Sequence, residues 1–327
     1  MTTIHCVVPS RTAISLIDMN GSLGRIAGGA GFALDKPSLE FVMQPSRNVI
    51  INDRDLFSNE LIAAAKESLV QLAREYQFGG VAVTIKEAIP EHRGFGSKTA
   101  TLLSLTKMFA LLNSTDIPYP ELALFVGRGG TSGVGVNIID KGGFILDGGH
   151  SIKNKPEFAP SSASVPLAVP PLLARSPMPQ QEILIVIPPL KKVFGETEKK
   201  FFKELCPIPE HDVESLSRII LMQLMPAVAE SDLNSMAAAI NSIQEHSWKR
   251  NEINLYGNLV RDVMQHGKAS GALMAGMSSI GPGIFFIGGD LRRVYKGIAS
   301  TYHLVDGKEI FLTKPNNHGL VYEVTDD

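Results

Sequence analysis

The chain has 327 residues, of which 44% are hydrophobic and 20% charged, and its 31 Lys and Arg side chains nearly balance 33 Asp and Glu. At roughly 100 to 200 residues per domain, this length predicts two domains or one large one, which excludes a small scaffold held by disulfides or metal. The balanced charge gives no indication of binding to nucleic acid or to an anionic membrane. Two distant cysteines, Cys6 and Cys206, share no metal-ligand spacing, so a reducing cytoplasm is the expected location.

The first part of the chain is predicted to contain short strands and two helices. Strands are expected at residues 4–8, 13–17, 39–43, 48–51 and 81–85, with a glycine-rich connection between the second and the third. A helix over 57–77 is indicated by an apolar stripe at spacings of three and four residues, formed by Ile62, Ala65, Leu69, Leu72 and Tyr76. A second helix is predicted at 100–112.

The second part of the chain mixes strands and helices without regular repetition. Apolar runs at 134–139, 144–146, 183–187, 310–312 and 320–324 read as strands, and helices are predicted at 213–229 and 232–245. Residues 159–180 hold six Pro and four Ser and are expected to connect two domains, 1–170 and 171–327. The mixed order predicts an α+β fold.

One segment has the length of a membrane span. Residues 269–289 carry no charge over 21 positions. Six Gly, one Pro and three Ser in the segment favour a loop followed by a short buried strand at 284–287.

A short glycine-containing stretch lies between the predicted strand at 81–85 and the helix at 100–112. Gly94 and Gly96 let the backbone approach a ligand, and Ser97, Lys98 and Thr99 add donors at a helix start, where an anion is favoured. The spacing matches neither the dinucleotide fingerprint nor the P-loop. A plain turn with a serine N-cap is the alternative interpretation.

A denser glycine cluster surrounds one arginine. Arg128 is followed by Gly129, Gly130 and Ser132, an arrangement that suits capture of a phosphate by a guanidinium beside a backbone nest. The alternative is a structural salt bridge at Arg128.

Two further groups of polar residues are candidates for metal or proton chemistry. Asp147 and His150 end an apolar strand, and Asp18, Asn20 and Arg25 surround a turn. Exposure of His150 and an Asx turn at Asp18 would explain these residues without any ligand.

The motifs as a set resemble a known superfamily. Residues 94–100 (GFGSKTA) resemble the phosphate loop of the GHMP kinase superfamily, and 277–283 (MSSIGPG) its C-terminal glycine-rich motif. Stretches 15–34, 127–135 and 142–150 resemble the β-ribofuranosylaminobenzene 5'-phosphate synthase family of methanopterin biosynthesis.

This resemblance implies a two-domain GHMP fold, Mg²⁺ dependence and a homodimer. The implied reaction joins phosphoribosyl pyrophosphate to 4-aminobenzoate or 4-hydroxybenzoate with loss of CO₂ and pyrophosphate. Catalytic roles are expected for Asp18, Arg128 and Asp147, with Mg²⁺ on Asp18 or Asp147. The expected phosphate ligands are Gly94, Gly96, Ser97, Lys98, Thr99, Gly129, Gly130 and Ser132. The expected ligands of the remaining substrate groups are Asn20, Arg25, His150, Ser279 and Gly281.

The chain departs from the family pattern in two places: the family commonly has a His near the position of Ala13, and Ala27 stands where an Asp is usual. If either position touches substrate, the aromatic specificity is altered. Two other functions stay open, an ATP-dependent GHMP small-molecule kinase and a non-catalytic phospho-ligand-binding dimer.

Overall fold

Two long strands, β1 (Thr2–Asp18) and β2 (Arg25–Ser46), pair antiparallel along most of their length. The computed structural model describes residues 2–164 and 167–326. The other strands of the same sheet are β3 (Ile50–Asn52), β4 (Gly80–Glu87), β5 (Phe144–Asp147), β6 (His150–Ser151), β7 (Leu172–Ser176) and the last strand, β12 (Val321–Asp326). Their order is β12-β1-β2-β4-β3, with β5 and β6 paired to β2 and β7 paired to β5.

A second sheet is wholly antiparallel. Its strands are β8 (Ile183–Val186), β9 (Ala272–Met277), β10 (Ile284–Gly289) and β11 (Ile310–Thr313), in the order β11-β8-β10-β9. The helices of the first part are α1 (Asn59–Tyr76), α2 (Ser97–Leu112), α3 (Tyr119–Phe125) and α4 (Val134–Lys141). Those of the second part are α5 (Glu196–Leu205), α6 (Glu210–Ile219), α7 (Met225–Glu230), α8 (Leu233–Glu245), α9 (Ser247–Asn254), α10 (Asn258–Ala269) and α11 (Leu291–Tyr302), with a π-helical stretch at Ile220–Leu224.

The two sheets and their helices confirm the predicted α+β class. The division into domains at residue 170 stays a prediction. Both β7 and β12 follow that position in the chain, and both pair into the first sheet, with β5 and β1 respectively.

Helix α1 forms where the apolar stripe predicted it. The Ser58 hydroxyl accepts the Leu61 N–H and caps the helix start, and Leu61, Ala65, Leu69 and Leu72 are buried. This packing ties the first sheet to the helical layer that carries α2.

Helix α2 runs through the centre of the layer and is buried along most of its length, including every residue from 99 to 110. Two of its buried hydroxyls donate hydrogen bonds to carbonyl groups of the same helix: Ser104 to Ala100 (2.6 Å) and Thr106 to Leu102 (2.8 Å). A helix packed on every side has a fixed position, so its first turn is a rigid platform.

Three sequence predictions were wrong about local structure. The glycine-rich stretch after residue 25 is part of β2 and not a connection, because its small residues allow close packing: a Cβ at Gly31 would lie 2.4 Å from the Thr12 carbonyl oxygen. The predicted strands at 4–8 and 13–17 form one strand, β1. The run at 134–139 is helix α4, whose buried β-branched side chains show tertiary packing overriding strand propensity.

The uncharged segment at 269–289 forms an antiparallel hairpin of β9 and β10, so its first half is a strand and not the predicted loop. In residues 2–164 and 167–326, no helix is long and apolar enough to cross a membrane.

Candidate active site

A cavity of about 480 Å³ opens where α2 begins. Strand β1, the loop before α2, the loop that follows α3 and the chain around α5 all contribute to its wall. The lining residues that the sequence had singled out are Gly94, Gly96, Ser97, Lys98, Thr99, Arg128, Gly129, Ser132 and Ser279. Most of the predicted phosphate ligands therefore lie in one place.

The start of α2 is open to an incoming anion. Gly96 is the N-cap in a left-handed conformation (φ 77°) and offers no side-chain cap, so the predicted serine cap at Ser97 does not form. The Ser97 hydroxyl is buried and has no hydrogen-bond partner in the described structure. Free N–H groups at a helix start, the helix dipole and a hydroxyl are groups that can bind a phosphate.

The loop before α2 is fixed by the β9–β10 turn through backbone contact. A Cβ on Gly94 would lie 2.1 Å from the Ser278 carbonyl oxygen, and a Cβ on Gly281 would lie 2.2 Å from the Gly94 nitrogen. The Ser278 hydroxyl donates to the Gly94 carbonyl (2.5 Å) and accepts the Ala13 N–H (3.1 Å). Gly281, a predicted substrate ligand, therefore packs on the loop and does not line the cavity.

Two arginines face the cavity beside the helix start. Arg128 donates from Nε to the Thr99 hydroxyl (3.0 Å), and burial lowers the pKa of its guanidinium. The Arg11 guanidinium donates a hydrogen bond to the Gly94 carbonyl (3.4 Å). Burial lowers the pKa of this guanidinium to about 10, so it stays protonated at neutral pH. Sequence reasoning missed Arg11, although a lone cation between buried strand residues is a usable signal.

Lys98 lies at the rim of the cavity. Its ammonium is 3.4 Å from the Glu60 carboxylate, and its side chain is 43% exposed. Its charge is therefore screened more strongly than that of either arginine.

Asp147 stands behind the cavity wall. Its carboxylate accepts the Ser132 hydroxyl (2.7 Å) and the N–H groups of Gly133 (2.9 Å) and Gly149 (3.0 Å). Burial raises its pKa to about 6 against these hydrogen bonds. Asp147 does not line the cavity, and its contacts position Ser132, which does.

Lys155, which the sequence reasoning missed, braces the same loop. It donates to the carbonyl groups of Gly130 (2.5 Å) and Ala159 (2.7 Å), and burial lowers its pKa to about 8. Gly130 itself is buried and does not line the cavity.

The residues around Asp18 lie outside the cavity lining. Asp18 accepts the N–H groups of Asn20 (2.9 Å) and Gly21 (2.8 Å), which is the Asx turn given as the alternative. The Asn20 amide donates to the Ile208 carbonyl (2.7 Å), and Arg25 donates to the carbonyls at 148 and 149 (both 2.7 Å). Each of these polar side chains is hydrogen-bonded to backbone groups.

His150 also lies outside the lining. It is buried, and burial lowers its pKa to about 4, with the charges of Lys155 and Arg25 acting in the same direction. The imidazole is therefore neutral at pH 7, and its Nε2 has no hydrogen-bond partner among the described residues.

The predicted magnesium ligands Asp18 and Asp147 are not part of a cluster of metal ligands. Asp18 Oδ1 accepts two backbone N–H groups, Asp147 accepts backbone and hydroxyl donors, and within 2–164 and 167–326 no group of three or more His, Cys, Asp and Glu is placed to hold a metal ion. Magnesium dependence stays a prediction.

The two departures from the family pattern differ in position. Ala13 lines the cavity, so a side chain there would touch a ligand. Ala27 is 3% exposed and packs with Met19, Phe202 and Trp248, at a positive φ of 64°.

The chain around α5 closes the cavity and was missed altogether. Phe194, Glu198 and Phe202 line it from this side, and Phe194 stacks on His92 with ring centroids 4.4 Å apart.

The fold is that of the GHMP-type kinases. A homoserine kinase from Cytophaga hutchinsonii matches with a TM-score of 0.70 at 16% identity, over 98% of this chain and 97% of that one. A mevalonate kinase from Methanococcus jannaschii matches with a TM-score of 0.68 at 12% identity, over 96% of this chain and 98% of that one. At these identities the likeness establishes the fold alone.

Curated relatives define the family more closely, although no family model matches the chain. A β-ribofuranosylphenol 5'-phosphate synthase from Archaeoglobus fulgidus is 37% identical over 319 residues, covering 97% of this chain and 98% of the relative. One from Methanocaldococcus jannaschii is 34% identical over 328 residues, covering 95% and 97%. The chain belongs to the β-ribofuranosylphenol 5'-phosphate synthase family.

Membership confirms the resemblance drawn from the glycine-rich motifs. The protein is a phosphoribosyl-transferring enzyme that makes a riboside phosphate. Neither alternative, the small-molecule kinase or the non-catalytic binder, is favoured by these relatives.

Proposed function

We propose that the enzyme joins phosphoribosyl pyrophosphate to 4-hydroxybenzoate, releasing CO₂ and pyrophosphate. The choice of the hydroxylated ring over 4-aminobenzoate is supported by the relatives, whose name specifies a ribofuranosylphenol. The product would be a phenol carrying a C-linked ribose 5'-phosphate.

The observation that carries the proposal is the convergence of Arg11, Arg128 and the uncapped start of α2 on one cavity. Phosphoribosyl pyrophosphate carries a phosphate at one end and a pyrophosphate at the other, so its enzyme needs two positively polarised regions. Guanidinium groups and helix N-termini are the strongest phosphate binders that a protein without a metal offers.

The departing pyrophosphate is placed at the start of α2. The first turn of α2, including Ser97, lines the cavity there, the Arg128 guanidinium donates to Thr99 in the same turn, and Lys98 lies at the rim. Gly129, which lines the same cavity, is assigned to the 5'-phosphate, and Ser132 shapes the wall beside it while its hydroxyl donates to Asp147. These donors are fixed before substrate arrives, so they stabilise developing negative charge with little reorganisation.

The aromatic ring supplies the electrons. As the bond to pyrophosphate breaks, positive charge builds on the anomeric carbon, and the para oxygen pushes electron density onto the ring carbon that bears the carboxylate. That carbon attacks, and loss of CO₂ restores the aromatic ring. Holding the two reactants in line is worth several kcal/mol of the barrier, of the order of 7 to 11 in favourable cases.

Mg²⁺ enters this proposal only as an ion that the substrate's pyrophosphate brings, since magnesium is commonly bound through substrate phosphates. The predicted ligands Asp18 and Asp147 do not fit a protein-held site, and no catalytic step is assigned to the metal here. A homodimer and a cytoplasmic location also stay predictions.

The test is an assay with phosphoribosyl pyrophosphate and 4-hydroxybenzoate labelled at the carboxyl carbon, run beside 4-aminobenzoate, with and without Mg²⁺. Labelled CO₂ from the hydroxylated ring supports the proposal, and a preference for 4-aminobenzoate corrects the acceptor. ATP consumption without CO₂ would establish a kinase. Thermal stabilisation by phosphoribosyl pyrophosphate without any product would establish a binding protein.

A further inference from the structure

Helix α5 presents a carboxylate and an aromatic ring to the cavity from one face. Glu198 and Phe202 are four residues apart, so they lie one above the other on the helix, and both line the cavity. Phe202 is buried and packs edge-on against Trp248, with ring centroids 5.0 Å apart. This pairing of a fixed ring and an acceptor matches an aromatic ligand with one hydrogen-bond donor.

Glu198 differs from the other carboxylates of the cavity wall. Glu60 is paired with Lys98, Glu91 takes two hydrogen bonds from Ser58, and Glu252 is held by Lys249 (2.7 Å) and Trp248 (3.0 Å). Glu198 accepts one hydrogen bond, from Ser162 to Oε2 (3.1 Å), and within the described chain its Oε1 has no partner. Glu60 also has an oxygen without a partner among the described residues, but its side chain is 82% exposed. Glu198 is therefore the half-buried wall carboxylate with an acceptor free for a ligand.

We propose that Glu198 is the general base of the reaction, taking the proton of the para hydroxyl group as the ring attacks and returning it when CO₂ leaves. The inference rests on the proposed function and goes beyond it, because it assigns the aromatic subsite to the face of α5 that carries Glu198 and Phe202.

Burial and the neighbouring charges act in opposite directions on the carboxyl group of Glu198, which suits a group that takes up a proton and then returns it. Burial raises the pKa of its carboxyl group, and Glu252 on α9 acts in the same direction. Arg11 on β1, Arg128 on the loop before α4 and the Ser162 hydroxyl act in the opposite direction. A carboxylate whose pKa is raised is a stronger base.

The step balances without a further reactant. The ring carbon bearing the carboxylate forms a bond to the anomeric carbon as the bond to pyrophosphate breaks, and the hydroxyl proton moves to Glu198, leaving a neutral cyclohexadienone ring with its carboxylate still attached. The bond between the ring and the carboxylate then breaks and CO₂ departs. The electron pair of that bond restores the aromatic ring, and the para oxygen recovers its proton from Glu198.

A different role is possible for the same residue, as a counter-charge for Arg11 and Arg128. The two roles separate in the variant Glu198→Gln, which keeps the size and loses the base. Glu196→Gln is the matched control, because Glu196 lies on the same helix, is paired with Lys199 and does not line the cavity.

The experiment measures kcat and KM by release of labelled CO₂ over a range of pH. With 4-hydroxybenzoate, Glu198→Gln is expected to lower kcat by about 100-fold, to leave the KM for phosphoribosyl pyrophosphate unchanged and to remove the acidic limb of the wild-type pH profile. A more acidic phenol, 3-fluoro-4-hydroxybenzoate, ionises more readily and should shrink the ratio of wild-type to variant rates, while 4-aminobenzoate should not.

The opposite results are equally clear. A kcat within threefold of wild type, or a lower KM for phosphoribosyl pyrophosphate at unchanged kcat, would establish the counter-charge role and overturn the proposal. If the variant fails to fold, the wild-type enzyme still decides, because the acidic limb of its profile must weaken with the fluorinated ring. A wild-type enzyme that releases no labelled CO₂ would refute the proposed function itself.

Discussion

The start of α2 and the turn at residues 18–25 are both rich in glycine and polar side chains, yet they differ in what their polar atoms do. At α2, the Ser97 hydroxyl is buried and has no hydrogen-bond partner in the part of the chain that the structure describes. In the turn, the polar side chains of Asp18, Asn20 and Arg25 are each bonded to backbone groups at 2.7 to 2.9 Å.

This difference distinguishes polar groups that are available to a ligand from polar groups that hold the backbone in place. A buried polar group left without a partner costs free energy, about 1 to 3 kcal/mol, and where its residue lines a cavity, as Ser97 does, a ligand can supply the missing bond. A polar group that already holds backbone has less to offer a ligand. The four predictions that follow test this distinction, in order of expected effect.

Replacing Arg128 should have the largest effect on catalysis. Arg128→Ala removes a charge-assisted contact to phosphate beside α2, and kcat/KM is expected to fall by about 1,000-fold. The Tm should change by less than about 3 °C, because a half-buried cation is removed together with one hydrogen bond. Steady-state kinetics and a thermal melt test this, and near-normal turnover would refute the phosphate assignment.

Ser97→Ala sharpens the comparison, because it deletes only the unpartnered hydroxyl. The expected loss in kcat/KM is about 10- to 100-fold, the worth of one hydrogen bond to a charged group, with no loss of stability. Thr101→Val is the matched control: Thr101 is one turn further along α2, its hydroxyl is also buried without a partner, and it does not line the cavity. Equal losses in both variants would mean that α2 was disturbed generally.

Lys98 should contribute less. Its exposed ammonium, shared with Glu60, is expected to be worth about fivefold in the KM for phosphoribosyl pyrophosphate, and the effect should diminish as salt is raised. Lys66→Ala, at an exposed lysine of α1, controls for general charge. A loss as large as that of Arg128→Ala would place Lys98 inside the site and not at its rim.

Replacing Asp147 should change the pH dependence of the free energy of unfolding more than it changes the rate of the reaction. Its folded pKa of about 6 exceeds the unfolded value of about 3.9, so the folded state holds an extra proton between these values and stability falls as the pH rises from 4 to 6. The free energy of unfolding should drop by about 3 kcal/mol across this window from this group, and Asp147→Asn should remove that part. Urea denaturation at pH 4 and pH 7 measures the difference, and parallel pH dependence in both proteins would contradict it.

The sequence predicted those parts of the fold that follow local periodicity. The stripe of α1 and the β-branched run of β4 were identified because burial on one face leaves a regular pattern. Sequence-based prediction failed where tertiary packing determines the local structure. In β2 the glycines allow close packing of strands, and in α4 the valines and isoleucines fill a helical interface.

The candidate site was predicted where motif and chain position coincide, and missed where the fold brings distant segments together. Residues 94–99 are contiguous, so their glycines, lysine and hydroxyls could be identified together. Arg11, Glu198 and Glu252 come from β1, α5 and α9, and only the folded chain shows that they face one cavity. Asp18 and Asp147 looked like metal ligands because the sequence does not show which N–H groups a carboxylate will accept.

The contact of Gly94 with the turn at residues 278–281 joins two pieces of backbone that are far apart in the chain. A methyl group on Gly94 would meet the Ser278 carbonyl, and one on Gly281 would meet the Gly94 nitrogen. No change of a neighbouring side chain can compensate for alanine at one position, because the obstruction is main chain. Random mutagenesis should therefore recover no second-site suppressors of Gly94→Ala outside the hairpin turn itself. For the same reason, chimaeras assembled from the front half of one relative and the rear half of another should tolerate a crossover between these glycines only if both parents keep them.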